Sequence, residues 1–153
     1  METKRKWPDD LSLAYALLRV ALGLNIFMHG ISRPLGGVDN FVNSMINMFQ
    51  NPVLPTAVVV PFGYALPWLE AAIGLLIIIG FRTRVALVSG ALLILALTFG
   101  TSLRQDWDVA AIQLLYSIVY AILIAALRYN RLSVDEKISA AASRAESTPP
   151  LFL

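Results

Sequence analysis

Apolar residues in this chain come in four long runs separated by short polar breaks. A membrane-crossing helix needs about 20 mostly apolar residues. The runs at 11–31, 58–80, 85–103 and 109–127 approach or meet that length. They predict an all-α integral membrane protein, a four-helix bundle over 11–128, with polar tails at 1–10 and 129–153. The longest break is SRPLGGVDNFVNSMINMFQNPVLPT, residues 32–56. Pro34, Gly36 and Gly37 are breakers that end the first span. Asp39 or Asn40 is placed to cap a short helix over 40–50. Its apolar residues Phe41, Val42, Met45, Ile46, Met48 and Phe49 make one broad face, with Asn43, Ser44, Asn47 and Gln50 mostly opposite. That pattern predicts a short amphipathic helix in the first outer loop, flat on the membrane surface or lidding the bundle.

The spans carry their own packing marks. In the second, Gly63, Pro67, Glu70 and Gly74 follow 4-3-4 spacing and so share one face. Small residues there let another backbone come close, and Pro67 leaves the carbonyl of Gly63 in need of a partner. Ala86 and Gly90 offer a similar edge in the third span. In the fourth, Gln113, Ser117, Ala121 and Ala125 form a small and polar edge expected to face inward, with Tyr116 and Tyr120 beside it. FRTR at 81–84 reads as a tight basic turn, and 133–145 as a short surface helix.

Composition agrees with the pattern. Hydrophobic residues make up 58% and charged residues 14% of the 153, and the mean hydropathy is +0.69. That is too apolar for a soluble domain of this length. The first ten residues resemble the start of a signal peptide, but the apolar run that follows is too long and no A-x-A site closes it, so the first span is read as uncleaved. Trp7 is suited to an interfacial anchor, and Asp9 or Asp10 to the helix N-cap. Four spans put Lys4, Arg5, Lys6, Arg82, Arg84, Arg128, Arg131, Lys137 and Arg144 on one side, and Arg33 and Arg104 on the other. The positive-inside rule then predicts both termini in the cytoplasm, as in a multi-pass protein of the cell inner membrane. The net charge of +2 comes from these flanking residues and predicts no nucleic-acid partner. The chain has no cysteine, which excludes thiol–disulfide exchange, a disulfide framework and a cysteine-ligated iron–sulfur cluster. Its single histidine excludes a bis-histidine haem site within one chain, and no metal site is predicted.

Polar residues inside the spans are the candidates for chemistry. Glu70 lies at the middle of its run and costs roughly 2.5–3.5 kcal/mol at that depth unless partnered or wet. Counted from the ends of their runs, Arg19 and Glu70 fall at similar depths, so an Arg19–Glu70 ion pair is expected. The pair either fixes helix register or also faces a ligand or a proton path. Asn25 and His29 share a face nearer the outer surface, and Gln113 lies at their depth. With Tyr64 or Tyr116 they predict a polar pocket in the outer half of the bundle. His29 is the side chain best suited to proton exchange near neutrality.

Taken in order, these features resemble the DoxX/DoxD-like membrane proteins, a family that includes the small subunit of thiosulfate:quinone oxidoreductase. The resemblance covers roughly residues 15–135: Arg19, Gly23, His29-Gly30 and Arg33; then Pro67-Trp68-Leu69-Glu70, Gly74, Gly80 and Arg82-Thr83-Arg84; and finally Leu132-Ser133-Val134-Asp135. It implies a quinone-interacting subunit of a redox system, with thiosulfate as one electron source. On that reading Glu70, His29 and Arg19 are the catalytic candidates. Arg33, Arg104, Gln113, Asn25, Tyr64 and Trp68 would bind an oxyanion or a quinone headgroup. The cofactor expected is a quinone. The expected partners are membrane lipids and a second membrane or redox subunit, with homo-oligomerisation left open. The alternatives are a non-enzymatic scaffold or accessory subunit of a larger complex, and a small proton-coupled carrier.

Overall fold

The computed structural model describes residues 9–49 and 54–146. The expected anchor Trp7 and the basic residues 4–6 lie outside that range. α1 spans Asp10–Leu35 and is capped by Asp9, whose carboxylate accepts from the backbone N–H of Ser12 at 2.7 Å. That bond holds the Asp9 carboxyl below its usual pKa. The helix runs past Ile31 and takes Pro34 into its last turn before stopping at Gly36.

α2 (Val38–Met48) is the short amphipathic helix expected in this loop. Neither Asp39 nor Asn40 caps it, however. Gly37 holds the N-cap position with φ 91°, a backbone angle that favours glycine. Asn40 instead donates back to the Gly36 carbonyl at 3.0 Å. Phe41, Val42, Met45, Ile46 and Phe49 are wholly or partly buried, and Val42 and Met45 lie against Gly63. The helix therefore lids the bundle.

α3 (Thr56–Ile79), α4 (Thr83–Leu103) and α5 (Trp107–Ala125) complete the four candidate spans. A single 3₁₀ turn (Leu127–Tyr129) leads to α6 (Val134–Glu146). Gly80 ends α3 at φ 69°, a left-handed C-cap. It is required twice over, since a Cβ there would lie 2.6 Å from Ser133 and 2.8 Å from the Arg19 guanidinium.

The bundle is built from two tight helix pairs. In the first, α1 meets α3 backbone to backbone. A side chain on Gly30 would overlap the backbone of Pro67 and Ala71, and one on Gly74 would overlap Phe27. Gly23 lies against Ile78 and the Gly74 carbonyl. In lipid no hydrophobic gain drives helices together, so such close approach supplies van der Waals packing instead. The second pair uses shape differently. The ring of Tyr120 on α5 fills the hollow left by Gly90 on α4. This corrects half of the edge expected on α5: Gln113 and Ser117 are half-buried, but Ala121 and Ala125 are exposed, and Ala110, Tyr120 and Leu123 are buried. A large ring seated on a glycine buries more area than an alanine stripe, so the tyrosine side turns inward. Tyr15, Leu22, Ile26, Ile73, Ile77, Leu87 and Ile94 fill the core between the pairs. Large apolar side chains such as Leu17, Leu24, Leu92 and Leu115 stay on the outside. That is the arrangement of a multi-pass membrane protein, whose outer surface is solvated by lipid.

Candidate functional site

The α1–α3 register decides which polar groups meet. With Gly23 beside Gly74 and Gly30 beside Pro67 and Ala71, Glu70 is level with His29. Arg19 lies about 15 Å further along the axis at 1.5 Å per residue. The expected Arg19–Glu70 pair is therefore not formed. Depths counted from the ends of apolar runs assume that the helix ends are flush, whereas α1 overhangs the end of α3 by more than two turns.

Glu70 pairs instead with Arg33, one turn past His29 on α1. The Arg33 guanidinium also lies over the ring of Phe41 on α2, 4.6 Å from its centroid. Side-chain exposure is 22% for Arg33 and 5% for Glu70, so the carboxylate is the more deeply desolvated partner. Arg104 mirrors this arrangement at the end of α4. It pairs with Asp106 at 3.0 Å and stacks over Phe49 at 5.6 Å. Its guanidinium also reaches the sulfur of Met48 at 3.5 Å. The two arginines thus grip α2 at its start and its end, each by one face of an aromatic ring.

Beneath α2 lies a cavity of about 470 Å³. Its walls are Phe41, Met45, Met48 and Phe49 from the lid, Val58, Val59, Phe62 and Leu66 from α3, and Ala96, Leu97, Phe99 and Gly100 from α4. Arg33, Thr101, Arg104 and Asp106 are its polar members. An apolar slot with a few convergent polar groups is the usual form of a small-molecule site.

The remaining candidates disperse. Asn25 accepts from the Tyr116 hydroxyl at 2.9 Å across α1 and α5. Gln113 accepts from Thr101 at 2.8 Å between α4 and α5. Tyr64 donates to Asp39 at 2.6 Å, tying α3 to α2. His29 and Trp68 are exposed on the outer surface of the bundle. Of the polar pocket expected from Asn25, His29 and Gln113 with Tyr64 or Tyr116, only the Asn25–Tyr116 contact therefore forms. Equal depth places residues at one level, but the helix faces send them to three different interfaces.

Arg19 sits at the opposite end, only 3% exposed. It donates to the Ile77 carbonyl, to Ile78 at 2.8 Å and to Leu132 at 2.8 Å. It thereby satisfies the last carbonyls of α3, where a cation also favours the helix dipole. Asp135 completes this end. Its carboxylate accepts from the backbone N–H groups of Arg82 (2.7 Å) and Thr83 (2.8 Å) and from the Thr83 hydroxyl (2.7 Å), capping α4 from outside. Burial raises its pKa, but the bonds from Thr83 and Arg82 outweigh it and hold the carboxyl below the usual range. The role of Asp135 was not assigned from sequence. A local signal was present: Ser133-x-x-Glu136 is a capping-box pattern, and the Ser133 hydroxyl accepts from the Glu136 N–H at 3.3 Å to start α6.

No group of three or more His, Asp or Glu side chains that would hold a metal ion occurs among the described residues.

Comparison with known proteins gives one family. The family model described as "Methylamine utilisation protein MauE" matches residues 11–107, well over half of the chain, and the chain belongs to that family. No curated protein and no solved structure matches. The match corrects the resemblance to DoxX/DoxD-like proteins, since MauE is a different family. The residues behind that resemblance do general structural work here. Gly23, Gly30 and Gly74 bring two backbones together, and Gly80, Ser133 and Asp135 close a turn. Tightly packed membrane hairpins of other families need the same devices.

Proposed function

We propose that this MauE-family protein is a membrane subunit of an electron-transferring system and that it seats a quinone-type carrier in the cavity beneath α2. The observation that carries this reading is the cavity itself: about 470 Å³, walled by aromatic and thioether side chains, with a guanidinium from each of two helix ends on its lining. Small-molecule sites commonly enclose 300–1,000 Å³, enough for a quinone ring and the first part of its tail. Phe41, Phe49, Phe62 and Phe99 suit the faces of a flat ring. Arg33 and Arg104 are donors suited to its carbonyl oxygens. Glu70 acts here as a positioning residue that holds Arg33 at the wall.

The family description supports a redox setting. Using methylamine requires oxidation at its C–N bond, and the electrons released need an acceptor. A chain without cysteine would join such a system through a bound carrier or a partner. On this reading the protein lies in the inner membrane with both termini cytoplasmic, as the distribution of Lys and Arg favours.

A second reading, an accessory subunit that binds no carrier, draws on one observation. Only 11% of the α5 span is buried within the chain, against 39% for α3, so α5 offers a whole face to a partner helix.

The test is solvent extraction of gently purified protein with mass spectrometry for quinones, on wild type and on Ala96→Phe, which puts a ring into the cavity. Roughly one quinone per chain in wild type, lost in the variant, is the expected result. No quinone in either, with a stable co-purifying membrane protein, would overturn the first reading in favour of the second.

A further inference from the structure

At the end of the bundle away from α2, the α3–α4 turn and α6 enclose an open groove of about 530 Å³. Phe81, Val85 and Ile138 form its apolar part, and Arg82, Arg84 and Ser139 its polar part. Val85 is 62% exposed and Ile138 52% exposed, so the groove keeps bare hydrocarbon beside two guanidiniums. Neither Arg82 nor Arg84 belongs to an ion pair among the described residues. The Arg82 guanidinium lies over the ring of Phe81, 6.0 Å from its centroid. The one acidic lining residue, Asp135, spends both oxygens on the Arg82 and Thr83 amides and the Thr83 hydroxyl. Its charge is thus met by the α4 N-terminus and competes little for the arginines. The Arg82 backbone is held at φ 45° by this capping, which fixes the turn from which both side chains project.

The turn joins two membrane spans, so the groove opens where headgroups meet acyl chains. We propose that it binds the phosphate of an anionic phospholipid, with Arg82 and Arg84 on the phosphodiester and Phe81, Val85 and Ile138 against the glycerol and upper acyl carbons. Arginine suits phosphate because its planar fork donates two parallel hydrogen bonds. Apolar walls distinguish a lipid from a free phosphate, which would gain nothing from them. The site is independent of the cavity beneath α2 and of any carrier held there.

The experiment is native mass spectrometry of the full chain released from mild detergent, with phosphatidylglycerol, phosphatidylcholine or inorganic phosphate added. Wild type is expected to retain phosphatidylglycerol over phosphatidylcholine and to show no phosphate adduct. A guanidinium bonded directly to the phosphate is worth about a fivefold change in affinity. Arg84→Gln should therefore weaken phosphatidylglycerol binding about fivefold, and Arg82→Gln with Arg84→Gln roughly 25-fold. Arg128→Gln with Arg131→Gln removes the same charge elsewhere on this end and should leave binding within twofold. Arg84 has no ion pair to lose among the described residues, so its variant tests binding without threatening the fold. Equal loss in the Arg128/Arg131 variant, unchanged binding in Arg84→Gln, or phosphate adducts as abundant as lipid ones would each overturn the assignment.

Discussion

Replacing Glu70 by Leu should expose how much of the bundle rests on one ion pair. The substitution leaves the Arg33 guanidinium at a partly buried site with its carboxylate gone. Two unit charges 4 Å apart interact by about 4 kcal/mol at an effective dielectric near 20. Desolvation offsets part of this, and the 22% exposure of the Arg33 side chain lets water screen it further. The net loss expected for Glu70→Leu is about 2–3 kcal/mol, below the 3–5 kcal/mol typical of breaking a fully buried pair. Arg33→Met should cost somewhat more than its charge alone, because its stacking on Phe41 goes too. The double variant should recover about 1.5–3 kcal/mol relative to the sum, since each single change strands a charge that the double change does not. The assay is reversible unfolding in mixed micelles, read as a double-mutant cycle. The same cycle on Arg19→Met and Glu70→Leu is the control. Those residues sit at opposite ends of the α1–α3 contact, so they should add within about 0.5 kcal/mol. Coupling below about 0.5 kcal/mol for Arg33 and Glu70, or coupling as strong for Arg19 and Glu70, would refute the assigned register.

Four further outcomes follow from the packing, the caps and one interhelical hydrogen bond. Gly30→Val should cost about 3 kcal/mol or more in mixed-micelle unfolding, because its side chain meets the Pro67 and Ala71 backbone, which cannot yield. Gly36→Ala should stay within about 0.5 kcal/mol, since the nearest atom to its new carbon lies 3.7 Å away. Asp135→Asn should lower stability by about 1–2 kcal/mol through loss of the charged cap on α4. Because the folded carboxyl is held below its ordinary pKa, its contribution is present above the unfolded value near 4 and lost as pH falls through the folded one. Wild-type stability should therefore drop on acidification over that window, and the Asp135→Asn profile should be flatter there. Thr101→Val should cost about 0.6 kcal/mol, the average for an interhelical hydrogen bond in a membrane bundle, as the Gln113 acceptor loses its donor.

The architecture was largely legible from the chain. Four apolar runs of membrane length and one amphipathic break can fold in few ways when every backbone group must be paired within the bilayer. The inward face of Gly63, Pro67, Glu70 and Gly74 was equally legible, and all four are buried. So was the Ala86–Gly90 edge, also buried. The site was much less so. Arg33 was read as an outer-loop residue, yet it is the partner of Glu70, because α1 carries on through Pro34 and brings its last turn over the carboxylate. Asp135 read as part of a family ending, and its work is to cap a helix more than fifty residues earlier in the chain.

The division has a physical cause. Hydrophobic periodicity is a property of consecutive residues, and transfer of a side chain into lipid needs no knowledge of its neighbours; the sequence by itself therefore determined the class, the spans and the buried faces of α3 and α4, though not that of α5. An ion pair or a cavity depends on how far one helix slides along another. A slide of one turn moves every cross-helix partner by about 5.4 Å, more than the reach of a hydrogen bond. Only the tertiary structure settled that slide, through the contact of Gly23 and Gly30 with Gly74, Pro67 and Ala71. With it came the pairing of Glu70 with Arg33, the duty of Arg19 toward the end of α3, and the space left open beneath α2.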